Sequence, residues 1–240
     1  MIELVNVSKS YGNGTKKAVD NLSLTVRPGE IFGFLGPNGA GKTTTIKMIV
    51  GLHKPDSGSV KVNGYDIVTQ TIEAKRQMAF VPDTPEVYDR LTGLEYLNFI
   101  GDVYGVSPRD RQERIERFAA TFELTSALTD RISGYSHGMQ QKLVLMSALL
   151  HNPPVWVLDE PMVGLDPRSA HNLKELMADH TRSGNTVFFS THVLEVAERL
   201  CDRVAIINKG RIIAQGTMDE LRKGQSGETL EKIFLELTDK

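Results

Sequence analysis

Residues 36–43 have the types and the spacing of a phosphate-binding loop. They read Gly-Pro-Asn-Gly-Ala-Gly-Lys-Thr, which fits the pattern Gly-x-x-x-x-Gly-Lys-Thr. A triphosphate carries several negative charges, and a short loop surrounds it only where backbone N–H groups converge on its oxygens, which glycine permits. Lys42 would reach the β and γ oxygens, and Thr43 would offer its hydroxyl to Mg²⁺. The sequence therefore predicts a nucleoside triphosphate site formed by Gly36, Pro37, Asn38, Gly39, Ala40, Gly41, Lys42, Thr43 and Thr44.

Three more polar residues follow predicted strands that would end beside this loop. Asp159 and Glu160 come directly after the apolar run 155–158, and His192 follows the run 186–190. Open α/β sheets bind ligands at the carboxyl ends of their strands, so we expect Asp159 to hold Mg²⁺ and Glu160 to position the attacking water. The alternatives are structural: acids that cap a strand end, and a histidine that serves as an ordinary polar group. Because the phosphate loop is present, the sequence favours a hydrolytic site.

Short strands and helices would position these residues. Residues 30–35 read as a buried strand before the phosphate loop, and residues 44–50 read as a helix that Gly51 ends. Strand-like runs occur earlier, at 2–7 and 22–26, and one follows at 59–62. Between residues 92 and 150 the signals are helical, with capping patterns at Thr92 and Ser107. A second alternation of strands and helices begins at residue 155, and residues 230–237 form a last amphipathic helix.

The composition restricts the class of protein. The chain has 240 residues and a net charge of −2, so it lacks the basic excess typical of duplex-binding proteins. Cys201 is its single cysteine, which excludes an internal disulfide and indicates a packing role. No apolar run has the length of a membrane span, and the start of the sequence lacks the regions of a signal peptide. We expect a cytosolic protein unless a partner holds it at a membrane.

In their order along the chain, these motifs resemble the nucleotide-binding cassettes of ABC transporters. The matching elements are an aromatic residue at Tyr11, the phosphate loop, the acid-ended strand, Gly164-Leu165-Asp166 and Ser190-Thr191-His192. The resemblance covers nearly the whole chain. It implies an α/β fold, with a P-loop NTPase (RecA-like) core, an antiparallel β subdomain and a helical insert. It also implies one domain, 1-240, with the core at about 1-82 and 154-222, the insert at about 83-153 and a C-terminal helix at about 228-239.

The resemblance assigns further roles and reveals two departures from the family pattern. Tyr11 would stack on adenine, although an aromatic residue at a strand end also suits a core. The family signature Leu-Ser-Gly-Gly-Gln reads Tyr135-Ser136-His137-Gly138-Met139 here, so Ser136 and Gly138 would contact ATP bound to a second cassette. Asp83 stands where the family usually has glutamine. Its carboxylate cannot donate a hydrogen bond when ionised, but its oxygens suit Mg²⁺, and we expect a ligand role rather than a surface turn.

The resemblance implies a Mg²⁺-dependent ATPase that energises a membrane transporter. Two cassettes, identical or not, would meet head to tail on two ATP molecules. Lys42, Glu160 and His192 would be the catalytic residues, and Thr43, Asp83 and Asp159 the metal ligands. A separately encoded transmembrane subunit would hold the chain at the inner face of the cell membrane, with no nucleic-acid partner. Asp83, the altered signature and residues 214–222 resemble bacterial cassettes of exporter type, so the resemblance favours an exporter. The alternatives are a soluble mechanochemical ATPase acting on ribosomes or DNA, and a module that binds ATP without hydrolysing it.

Overall fold

The computed structural model describes residues 1–12, 16–222 and 229–238. Its first sheet is four-stranded and antiparallel, with strand order β2-β1-β4-β5. Its strands are β1 (Ile2–Tyr11), β2 (Lys16–Val26), β4 (Ser57–Val62) and β5 (Tyr65–Asp66). Strands β1 and β2 are longer than the sequence predicts, because their pairing continues past three register shifts as far as Tyr11. This sheet forms the predicted antiparallel subdomain.

The second sheet has six strands, in the order β10-β9-β3-β8-β7-β6. They are β3 (Ile31–Leu35), β6 (Met78–Val81), β7 (Val155–Asp159), β8 (Thr186–Thr191), β9 (Arg203–Asn208) and β10 (Arg211–Gly216). All pairs are parallel except the edge pair β9–β10. Every residue of β3, β7 and β8 is buried, as expected of central parallel strands covered on both faces. The P-loop NTPase core is therefore confirmed.

Helices cover this sheet and form the insert. Around the core lie α1 (Lys42–Ile49), α2 (Thr71–Arg76), α6 (Pro167–Arg182), α7 (Leu194–Leu200), α8 (Met218–Leu221) and α9 (Leu230–Thr238). The insert contains α3 (Gly93–Val103), α4 (Pro108–Thr121) and α5 (His137–Leu149). Thr92 forms the predicted capping box, and Ser107 caps α4 ahead of a first-turn proline. The cap patterns thus locate these helices correctly, whereas the division of the chain into subdomains stays a prediction.

Three apolar clusters stabilise the arrangement. One joins the insert to β6, β7 and α6, a second lies between the two sheets, and a third lies under α7 and α9. Leu230 and Ile233 of α9 are buried in the third cluster, so this helix covers the chain's own core. Cys201 packs there too, since a Cβ built on Gly33 would lie 2.7 Å from its Sγ. Residues 224–227, whose Gly-Gln-Ser-Gly sequence predicts a linker, lie outside the described residues.

Within the part of the chain that the structure describes, no helix has both the length and the apolar character needed to cross a membrane.

Candidate nucleotide site

A cavity of about 740 Å³ opens at the carboxyl ends of the core strands. It brings together Tyr11, the phosphate loop and the acids at the carboxyl ends of β6 and β7, which lie far apart in the sequence. Sequence reasoning missed one wall, which consists of Lys17, Ala18, Lys209 and Gly210. The lining residues are Tyr11, Lys17, Ala18, Asn38, Gly39, Gly41, Lys42, Thr43, Thr44, Asp83, Asp159, Glu160, Lys209 and Gly210.

The phosphate loop has the backbone that close approach to a ligand requires. Gly41, the N-cap of α1, has a φ of 111°, and a Cβ there would lie 2.4 Å from the Ala18 carbonyl oxygen. A Cβ on Gly36 would lie equally close, 2.4 Å, to the Ile207 carbonyl oxygen. Both positions therefore exclude any side chain. The loop brings its N–H groups and the positive end of α1 to one edge of the cavity.

Lys42 is buried beneath this loop. Its ammonium donates to the carbonyl oxygens of Gly36, at 2.7 Å, and Pro37, at 3.3 Å. Burial lowers the pKa of Lys42, while the nearby carboxylates of Glu160 and Asp159 oppose that shift. The lysine is thus held in place by the loop and available to an anion in the cavity.

Asp159 and Thr43 offer oxygen ligands for a cation. Asp159 is 2% exposed and accepts hydrogen bonds from the hydroxyls of Ser190 and Thr43. Burial raises the pKa of Asp159, and the charges of Asp83 and Glu160 raise it further, whereas the two hydroxyl hydrogen bonds lower it. A divalent cation would relieve this crowding of carboxylates, and hard oxygen donors suit Mg²⁺. These residues fit the ion, although no group of three or more His, Cys, Asp or Glu side chains forms a self-contained metal site among the described residues.

Glu160 and His192 form a pair at the same edge. The carboxylate of Glu160 lies 2.9 Å from His192 Nδ1 and also accepts the His192 backbone N–H at 3.4 Å. Glu160 has a left-handed backbone, with a φ of 48°, and its N–H donates to Ser190 Oγ at 3.1 Å. Ser190 therefore joins both acids. The sequence motif included Ser190 but gave it no role; the signal is a polar residue at the end of an apolar strand.

Tyr11 ends β1 at the rim of the cavity. Its side chain is 39% exposed and meets the ring of His53 edge-on, with centroids 6.0 Å apart. This exposure argues against the core alternative and leaves a ring face available for a base.

The signature residues do not line this cavity. Ser136 caps α5 by accepting the N–H of Met139 at 3.3 Å. A Cβ on Gly138 would lie 2.7 Å from the Gly164 carbonyl oxygen, and one on Gly164 would lie 2.9 Å from His137 Cδ2. The signature is therefore packed against the segment before α6, and His137 lies on that segment. One copy of the chain does not bring Ser136 and Gly138 to its own phosphate loop.

A second cavity, of about 620 Å³, separates the core from the insert. Asp83, Thr43 and Asp159 line both cavities, so this groove reaches the nucleotide site. Its other wall belongs to α3 and α5 and includes Tyr104, whose ring stacks on His151 at 3.7 Å. Asp83 is thus placed at the boundary between the two cavities.

Comparison with known proteins identifies the family. Residues 19–163 match the ABC transporter family. The chain is 38% identical over 233 residues to the Nod factor export ATP-binding protein I of Paraburkholderia xenovorans (strain LB400), covering 97% of this chain and 76% of that protein. A solved ATP binding subunit of an ABC transporter superposes with a TM-score of 0.94 at 36% identity, covering 99% of both chains.

A second solved structure shows a cassette as a dimer. This is the ATP-binding cassette MJ0796 in a post-hydrolysis state with ADP and Pi, with a TM-score of 0.82 and 26% identity over 91% of this chain and 99% of that one. The comparisons support the transporter role and not the alternative of an ATPase on ribosomes or DNA. The chain belongs to the ABC transporter family, as an ATP-binding subunit that hydrolyses ATP to energise a transporter.

Proposed function

We propose that the cavity between Tyr11 and Glu160 binds Mg·ATP and hydrolyses it by attack of a water held by Glu160. The observation that carries this assignment is the Ser190 hydroxyl, which fixes Asp159 and Glu160 relative to each other beside Lys42. Such a fixed arrangement is what phosphoryl transfer demands, since its catalysis consists of positioning and electrostatic stabilisation.

Each residue then has a role that its position suits. Tyr11 stacks on the adenine, and the loop N–H groups together with Lys42 hold the β and γ phosphates. Glu160 accepts a proton from the water, while His192, held on Glu160 at 2.9 Å, stabilises the charge that develops on the transferred group. Thr43, Asp83 and Asp159 hold Mg²⁺. When bound, the ion neutralises the charge that accumulates on the phosphate oxygens.

We propose further that two chains act together, head to tail. Ser136 and Gly138 lie outside the cavity of their own copy, which leaves them available to the nucleotide of another. The dimeric cassette among the solved relatives supports this arrangement. The partner cassette is identical or related to this chain.

A transmembrane subunit completes the assembly in our proposal. It docks at the groove that Asp83 shares with the nucleotide cavity, because contact there reaches the metal ligands directly. Exposed apolar residues lie on the insert beside it: Tyr88 is 58%, Phe99 44% and Val103 62% exposed. Apolar patches of this kind mark interaction surfaces. The chain would then lie on the inner face of the cell membrane. The relative named for Nod factor export supports transport outward.

Phosphate release by the wild-type chain and by Glu160→Gln tests the site. The matched control is Glu195→Gln, which removes a carboxylate of the same type that is 72% exposed on α7. We expect Mg²⁺-dependent turnover in the wild type and in the control, and a loss of about 10²-fold or more in Glu160→Gln. ATP binding should persist, and light scattering should show a dimer in Glu160→Gln with ATP. Unchanged turnover in Glu160→Gln would refute the role of Glu160.

A further inference from the structure

The turn between β9 and β10 places a lysine at the nucleotide cavity. None of the sequence motifs gives this lysine a role. Lys209 and Gly210 form this turn, and both line the cavity. Lys209 is exposed, so its ammonium is free to meet a ligand that enters the cavity.

The turn is fixed against the phosphate loop. The Gly210 N–H donates to the Ala40 carbonyl at 2.8 Å, and the Asp20 N–H donates to the Gly210 carbonyl at 2.9 Å. A Cβ on Gly210 would lie 2.9 Å from the Ala18 carbonyl oxygen. Two neighbouring segments therefore hold the turn, so the backbone of Lys209 is fixed relative to the phosphate loop.

Turn geometry does not explain the lysine. Lys209 has a φ of 48° and Gly210 a φ of 80°, as in the two-residue hairpin turns that favour Asn, Asp or Gly at both positions. A lysine there costs roughly 1–2 kcal/mol of backbone strain relative to glycine. What lysine adds at this position is its charge.

The other two lysines of the cavity already have partners. Lys17 lies 3.0 Å from Asp20, which Arg211 also holds, and Lys42 bonds to the loop carbonyls near Glu160 and Asp159. Across residues 1–12, 16–222 and 229–238, no ion pair involves Lys209. An anionic ligand would supply the missing counter-charge.

The position of the turn indicates which part of a bound nucleotide would lie close to Lys209. With the base on Tyr11 and the β and γ phosphates at Lys42, the ligand must pass Ala18, whose carbonyl lies against Gly41 at the start of α1. The β9–β10 turn also packs on the Ala18 carbonyl, since a Cβ on Gly210 would lie 2.9 Å from its oxygen. We propose that Lys209 binds the α-phosphate of the nucleotide and so strengthens the binding of ATP and ADP alike. This proposal rests on the proposed function of the cavity.

Titration calorimetry with Mg·ATP and with ADP tests the assignment on the full chain. The variants are Lys209→Met, Lys209→Arg and Lys209→Gly, the last of which relieves the backbone strain while removing the charge. Lys61→Met, at an exposed lysine of β4, is the matched control. We expect Lys209→Met and Lys209→Gly to raise the Kd of both nucleotides by the same factor of about five. Lys209→Arg and Lys61→Met should bind within about twofold of the wild type.

Two results would overturn the assignment. Wild-type affinity in Lys209→Gly would show that the lysine does not contact the nucleotide. Weakened binding of ATP with unchanged binding of ADP would place the contact at the γ-phosphate instead. Failure of the wild-type chain to bind either nucleotide would instead contradict the proposed function of the cavity, so the two failures are distinguishable.

Discussion

Ser190→Ala removes the hydroxyl that joins the two acids of the site. Ser190 is fully buried, and its hydroxyl donates to Asp159 and accepts the N–H of Glu160. The substitution leaves the buried Asp159 carboxylate and the half-buried Glu160 N–H without that partner. Each such loss costs about 1–3 kcal/mol, and Asp159 keeps a hydrogen bond from Thr43, so we expect a total of about 2–4 kcal/mol.

This loss has a thermal and a catalytic consequence. For a domain of this size, 1 kcal/mol corresponds to about 2–4 °C, which predicts a fall in Tm of about 4–16 °C. The left-handed backbone of Glu160 loses the N–H bond that helps to hold it, so turnover should fall at least about tenfold. The pKa of Asp159 should also rise further, because the Ser190 hydrogen bond is one of the contacts that lower it.

Thermal unfolding and phosphate release measure both consequences. The control is Thr181→Val, which removes a buried hydroxyl that donates to the Ala178 carbonyl within α6. It should lower the free energy of unfolding by about 1 kcal/mol and leave turnover unchanged. A Ser190→Ala variant with the Tm and the turnover of the wild type would refute the role of Ser190.

Three further predictions concern separate parts of the molecule. Gly138→Ala should lower turnover at least about tenfold with ATP affinity preserved, because its Cβ would lie 2.7 Å from the Gly164 carbonyl oxygen; equal turnover would contradict this packing. Asp83→Asn should raise the Mg²⁺ concentration for half-maximal turnover about three- to tenfold and lower the pKa of Asp159, and an unchanged Mg²⁺ titration would exclude Asp83 as a ligand. Burial lowers the pKa of His180 to about 4 from 6.5, so the folded chain holds it neutral and stability is lost as pH falls from 6.5 towards 4. Urea unfolding at several pH values should show this loss, and His180→Phe should reduce it.

Local signals in the sequence predict much of the fold. Caps at Thr92 and Ser107 act within a few residues, and the buried runs of β7 and β8 follow from composition alone. The phosphate loop and the acids at the end of β7 were recognisable because their chemistry depends on residues that are close in sequence.

Contacts between distant segments could not be predicted in this way. The role of Ser190 depends on the β7–β8 register, which pairs it with Asp159. The contact of His137 with Gly164 depends on how the insert packs on the core, and the place of Lys209 depends on β9 lying beside β3. Strand order and packing depend on the whole chain. These contacts therefore cannot be predicted from local sequence patterns.

If this chain energises a membrane transporter, it must bind a transmembrane subunit in the cell. Tagged Glu160→Gln is trapped with Mg·ATP in gently solubilised native membranes, and the co-purifying proteins are quantified by mass spectrometry. Lys42→Ala, which loses the ammonium beneath the phosphate loop, is the control. We expect a multi-span membrane protein at a fixed ratio to Glu160→Gln, and less of it with the control. Ribosomal or nucleic-acid partners without a membrane protein would contradict the transporter role.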